Sequence, residues 1–572
     1  MPRPDLRRLL IPLLLAVATP LSSRAADVLD SLPENVLGLV VVRNLEGANS
    51  KAELLLEKFQ YALPAPWEFV KMVTGLDEGI DPQGDLLVAL VPGSRPNAEP
   101  QPLVLLPIVD YEVFANSIRA DTSGEICRVE LAGEALLVAR KGTLAILMNV
   151  EHRATLERLL GSQPDPVRRL GPLSIWLAQT DLAIVIMPAG IKALGRAERQ
   201  PIQHRPISLF KQMVQQLRMG LVFFQNAILN DFNRSLDVAA VGVAIDKRSN
   251  VRLGYRAVLI HGSDQASADQ PAEVQSSPLV GHAAGPYVLA VSGRLATDAD
   301  HFLGALWNRM NETLRTMGGD KPLSLEDQQK QQQAQELLRD GARQISLVFR
   351  PGQEDDPLLA GVSGVVHVDD AEAYLQSVQK SFVLENEVLA NTSTDLLLQW
   401  ELTPTTVADG KGYEIAVDIG VANDPNVPDF IRLIESVVGE NGKFDMQLVA
   451  ADPTTVLLGI ESEQEFPALL ENVRQGEQGL QQQENLQATL KLLDNRATWL
   501  AVISPRGLSQ WVRRGLGAWF RFGGAPLLPE ITETPPIGFS LNLENDLLEA
   551  DLVWPIETID ALVDYFKELQ EL

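Results

Sequence analysis

Two serine–lysine pairs have the spacing of a nucleophile and its base. Ser377 and Lys380 in SVQK, and Ser208 and Lys211 in SLFK, each set a lysine one helical turn beyond a serine. In that geometry a lysine amine can take the hydroxyl proton and leave an attacking alkoxide. About one such match arises by chance in a chain this long, and no KTG companion is present, so the spacing alone does not define a hydrolase. His367, Asp369, Asp370 and Glu372 (HVDDAE) carry imidazole and carboxylate donors for a divalent metal, as do Asp298, Asp300 and His301 (DADH). The plainer reading of both is a strand end followed by acidic residues at a helix N-terminus, where the helix dipole favours negative charge. The six histidines are scattered, with no i, i+4 pair on a helix. HExxH, GxSxG, Walker A, post-strand GxGxxG and EF-hand patterns are all absent from the sequence. No catalytic residue, metal or cofactor is therefore expected.

A basic aromatic stretch is the better binding candidate. WVRRGLGAWFRF, 511–522, brings Trp511 and Trp519 together with Arg513, Arg514 and Arg521 in an otherwise acidic chain. Such a helix can lie at a membrane surface or line an apolar pocket. The competing reading is a core helix whose arginines reach solvent or pair with nearby carboxylates.

The element that carries this stretch recurs. DLAIVIMPAGIKALGR (181–196) and ATWLAVISPRGLSQWVRRG (497–515) share one pattern: an apolar strand, proline, one residue, glycine, then helical spacing. Proline suits the first turn of a helix, where its missing N–H has no partner to lose. The helix starts at Gly190 and Gly507 also offer free N–H groups to an anion. TLAILMNVEHRATLERLLG (143–161) and TVLLGIESEQEFPALLENV (455–473) precede the two copies in parallel, and a hairpin follows each. The spacing predicts two related halves.

The 572 residues carry a net charge of −27. Arg3, Arg7 and Arg8, an apolar run from Leu9 to Ala18, and small residues up to Ala25 read as an export signal. Its cleavage removes four arginines and one aspartate and leaves −30, with no transmembrane anchor expected to remain. So acidic a chain repels phosphate, which argues against nucleic acid as a partner. The single cysteine, Cys127, excludes an intramolecular disulfide and is expected to be a buried strand residue. Residues 262–279 are rich in Ser, Ala, Gln and Asp with no apolar period and read as a linker. The expected domains are 1–25, an export signal; 26–261, an N-terminal half; 262–279, the linker; and 280–572, a C-terminal half. Strands in antiparallel pairs with helices between them predict an α+β fold, its helices packed on one face of each sheet. The Gln-rich helix 325–339 reads as a solvated insertion.

ADVLDSLPENVLGLVVVRNL, TGLD (74–77), AGEALLVARKG and DLAIVIMPAGIKAL resemble segments of uncharacterised exported α+β proteins of planctomycete-type bacteria. The resemblance is diffuse and spans most of the chain after the export signal. It implies export and a repeated α+β build, and it assigns no activity and no site residue. Together these features lead to the expectation of an envelope protein, periplasmic or extracellular, that is a non-enzymatic binding or scaffolding module. Its expected partner is another envelope protein or an apolar ligand. The alternative is a periplasmic hydrolase with an unrecognised active site.

Overall fold

A computed structural model describes residues 29, 32–33, 35–58, 67–68, 71, 78–93, 100–131, 134–161, 168–197, 234–261, 285–295, 323–352, 357–392, 396–421, 443–460, 465–476, 479–494, 496–519 and 528–571. The export signal, the linker, the SLFK and DADH segments and Arg521 lie outside these. The chain divides into two compact units: 1–268 with 544–551, and 269–543 with 552–572.

In the first unit the elements run β1 (Gly38–Val42), α1 (Leu45–Lys58), β2 (Leu86–Val91), β3 (Gln101–Pro107), α2 (Tyr111–Ser117), β4 (Ile126–Leu131), β5 (Glu134–Lys141) and β6 (Leu144–Asn149). Then come α3 (Arg153–Gly161), α4 (Ser174–Gln179), β7 (Leu182–Ile186), α5 (Pro188–Ala197), β8 (Arg234–Ile245) and β9 (Val251–His261). All pairings are antiparallel, in the spatial order β4-β5-β6-β3-β2-β1-β7-β8-β9.

The second unit runs β10 (Leu289–Arg294), α6 (Leu325–Arg339), β11 (Ala342–Phe349), β12 (Val362–Val368), α7 (Ala371–Thr392), β13 (Leu396–Val407), β14 (Gly410–Val421), β15 (Lys443–Asp452) and β16 (Thr455–Ile460). It continues with α8 (Glu465–Gln475), α9 (Glu484–Leu490), β17 (Trp499–Ile503), α10 (Pro505–Trp519), β18 (Ile537–Glu544), β19 (Leu547–Trp554) and α11 (Ile556–Glu571). Its antiparallel order is β13-β14-β15-β16-β12-β11-β10-β17-β18. From β14 to β18 this repeats the order from β4 to β8, strand for strand; β13 is an additional strand at the edge.

Helices cover both faces of each sheet, not one face as the sequence pattern predicts. The cause is visible in β6, where consecutive residues are buried. Leu144, Ile146 and Met148 pack with Leu156 and Leu159 of α3 and Leu177 of α4, whereas Ala145 and Leu147 pack with Phe114 and Ala115 of α2. The second unit repeats this at neighbouring residues of β16. Val456 packs with Tyr374, Leu375 and Val378 of α7, and Leu457 with Phe466, Leu469 and Leu470 of α8. A strand buried on both sides shows no alternation, so its sequence does not announce the second layer.

Local chemistry sets the element ends. Asp110 caps α2, its Oδ1 accepting the backbone N–H of Glu112 at 2.9 Å and of Val113 at 3.2 Å. Ala408 and Asp409, both at positive φ, close the β13–β14 hairpin with Val407 opposite Gly410. That hairpin is longer than the apolar runs suggest, because the ladder continues through Thr403, Pro404 and Thr405. The Gln-rich α6 is not a solvated insertion. It packs along α7, with Ala334 fully buried and Lys330 bonded at 3.1 Å to Glu326 and 2.9 Å to Glu387. Cys127 is buried in β4, and its thiol donates to the Gly124 carbonyl at 3.3 Å.

Candidate functional site

The recurring proline–glycine unit serves a packing junction in both places. Pro188 and Pro505 are the first residues of α5 and α10. Two residues on, Gly190 rests against the backbone of Leu37, just before β1, and a Cβ there would run into the Leu37 carbonyl oxygen. Gly507 does the same against the carbonyl of Tyr287, just before β10. The adjoining backbone is stitched to that same segment: Met187 N–H donates to Leu37 O at 3.0 Å, and Ser504 N–H to Val288 O at 3.0 Å. The glycines are thus accounted for by helix–strand contact.

The start of the first copy leads to the most concentrated buried charge in the first unit. Asp181, one residue before β7, is buried, as are Arg43 at the end of β1, Lys51 on α1 and Asp85 at the start of β2. Because β1 lies between β2 and β7, the three strand ends converge, and α1 follows β1 directly. Arg43 Nη1 donates to Asp85 Oδ2 at 2.9 Å and its Nε to the Leu177 carbonyl at 3.2 Å. The other oxygen of Asp85 accepts the Asn44 N–H at 2.9 Å. Lys51 Nζ lies 3.5 Å from Asp181 Oδ2 and also donates to the Ile245 carbonyl. Asp181 Oδ2 accepts the Ile245 N–H at 2.7 Å, and its backbone carbonyl accepts the Arg43 N–H at 2.8 Å.

Burial holds the Lys51 ammonium below its ordinary proton affinity, with Asp181 foremost and Asp246 pulling the other way. Arg43 is lowered by burial in the same manner, against Asp85. A lysine so depressed has one property of a general base or amine nucleophile. Here its nitrogen is committed to a carboxylate and a carbonyl, so the arrangement ties the ends of β1, β2, β7 and β8 to α1 and α4.

A second buried cation sits on β9. Arg256 makes a fork to Asp551, Nη1 to Oδ1 at 3.1 Å and Nη2 to Oδ2 at 3.0 Å, and its Nε lies 3.2 Å from Glu549. Its guanidinium stands 5.4 Å from the ring of Trp176. This holds the segment 544–551 within the first unit. A bidentate, fully desolvated fork of this kind fixes geometry more than a point charge would.

The basic aromatic stretch is anchored at its described residues. Trp511 packs edge-on against Phe349, with ring centroids 5.7 Å apart, and donates its indole N–H to Leu358 O at 3.0 Å. One turn on, Arg514 donates to the preceding carbonyl, Pro357, at 3.2 Å. Arg513 pairs with Glu530 at 2.6 Å. Trp519 ends α10, and its side chain lies outside the described residues. The structure therefore brings Trp511 and Arg514 together on residues 357–358 and directs Arg513 elsewhere.

In the HVDDAE segment the carboxylates are engaged locally. Asp369 receives a fork from Arg343 at 2.8 and 2.5 Å, and Asp370 caps α7 by accepting the Ala373 N–H at 2.9 Å. His367 Nδ1 lies 3.5 Å from Thr455 Oγ1. Ser377 and Lys380 both fall on α7, Lys380 exposed. Among the described residues no group of three or more His, Cys, Asp or Glu is disposed to hold a metal ion, and no helix is long and apolar enough to cross a membrane.

Burial keeps the His367 imidazole below its ordinary value of 6.5, against the pull of Asp452. The unfolded chain therefore takes up this proton at a higher pH than the folded chain does. Stability contributed here is complete above the unfolded value and falls as pH drops through it. The thermal midpoint of the wild type is expected to fall more between about pH 7 and pH 5 than that of His367→Gln, measured by circular dichroism. Equal falls would show that His367 does not contribute.

The fold and this chemistry define an α+β protein of antiparallel sheets. No family model, curated protein or solved structure matches the chain.

Proposed function

We propose that the chain is an exported envelope protein, periplasmic or extracellular, whose two related halves act as a non-catalytic binding or scaffolding module. One observation carries the reading: the buried cations Arg43, Lys51 and Arg256 are each committed to carboxylates and backbone carbonyls of neighbouring elements. Charge placed this way rigidifies a scaffold and leaves recognition to surfaces. The common strand order of the two units supports their descent from one duplicated unit, in line with the resemblance to exported α+β proteins of planctomycete-type bacteria.

The test is to purify the protein from the envelope fraction of its source and identify what co-purifies by mass spectrometry and metal analysis. The reading expects a stoichiometric protein or apolar ligand. A stoichiometric metal, or turnover of ester or peptide substrates that a Lys51 variant loses while remaining folded, would favour a hydrolase instead.

A further inference from the structure

We propose that strand β4 pairs with β4 of a second copy of this chain, joining two first units edge to edge in an antiparallel dimer. Among the described residues β4 pairs on one side only, with β5, and so presents a row of backbone donors and acceptors on its other side. The second unit shows what this edge accommodates. There β14 holds the corresponding place in the strand order, and its outer side carries an antiparallel strand of the same chain, β13. The first unit lacks that extra strand among its described residues, so the same position is open to a strand from outside.

The side chains of β4 favour a second copy as its occupant. Cys127 and Val129 face the core, while Arg128 and Glu130 are exposed on the opposite face. Charges on an edge strand ordinarily deter pairing. Here they alternate in sign, and a two-fold axis through Val129 sets Arg128 directly opposite Glu130 of the second copy, and Glu130 opposite Arg128 of that copy. Directly opposed side chains on antiparallel strands lie close enough to pair. The same register sets Cys127 opposite Leu131 of the second copy on the inner face, so polar and apolar sides both match. The contact is isologous and closes on itself. Its length, one short strand, makes it a weak, concentration-dependent dimer.

Sedimentation velocity of residues 26–572 over about 1–100 µM tests this. The wild type is expected to show a reversible monomer–dimer equilibrium. Arg128→Glu and Glu130→Arg should each weaken it at least about tenfold, because like charges then oppose, and the double variant should recover the wild-type constant. Circular dichroism should be unchanged, as both positions are exposed; if a reversal perturbs the fold, Arg128→Gln and Glu130→Gln serve in its place, each weakening the dimer. A wild type that stays monomeric throughout overturns the proposal, as does a dimer indifferent to the single reversals.

Discussion

Asp181→Ala is expected to destabilise the first unit by about 3–5 kcal/mol, read as a shift in the urea midpoint at constant slope. The size follows from what remains. Lys51 stays buried beside the Ile245 carbonyl with its nearest carboxylate gone, and the Ile245 N–H loses its acceptor. Removing one partner of a buried pair costs more than removing both, because the survivor keeps its desolvation penalty. Lys51→Met combined with Asp181→Leu should therefore cost less than Asp181→Ala alone. Asp181→Asn separates the charge from the hydrogen bond, since the amide oxygen still accepts the Ile245 N–H. In that variant nothing so close offsets the burial that depresses Lys51, so its folded-state proton affinity drops further. The unfolded chain, with a lysine near 10.5, then binds more protons over a wider range, and stability should climb more steeply with pH than in the wild type. A midpoint unchanged in Asp181→Ala would show that the cluster does not hold the strands.

The second large effect is expected at the two glycines of the recurring unit. Gly190→Ala and Gly507→Ala should each cost about 3 kcal/mol, since the added methyl meets a backbone carbonyl that cannot rotate away. Calorimetry is the suitable readout for two compact units. Gly190→Ala should lower the transition of the unit that contains β1, and Gly507→Ala that of the unit that contains β10. Gly161→Ala provides the control: it lies in a helix, and its Cβ would meet nothing within 4 Å, so little change or slight stabilisation is expected. Two glycines that tolerate alanine as well as Gly161 does would remove the packing explanation for the motif.

Much of the local structure was legible in the sequence because its causes are local. Asp110 caps the helix it precedes, Pro188 and Pro505 open theirs, and the Asp246–Asn250 turn joins β8 to β9. The short helices α4 and α9 escaped notice, since six or seven residues give too little periodicity to separate from a loop. The charged constellation escaped for a different reason. Arg43, Asp85 and Asp181 each read as the polar boundary of an apolar strand, and only the placement of β1 between β2 and β7 unites residues 42 to 134 positions apart. The two-sided packing was hidden likewise, because β6 and β16 are buried continuously and give no alternation to interpret. The basic aromatic helix was visible from composition, but its anchoring to residues 357–358 depends on contacts about 150 positions apart.

The most direct measurement of the account is an experimental structure of residues 26–572, with β1 to β8 superposed on β10 to β12 and β14 to β18. The account predicts that the eight strands align in one common order and direction, with α2 and α7 on one face, α3 and α8 on the other, and Gly190 and Gly507 at the same junction. Strand orders that differ, or proline–glycine units that fall at unrelated places in the two sheets, would contradict it.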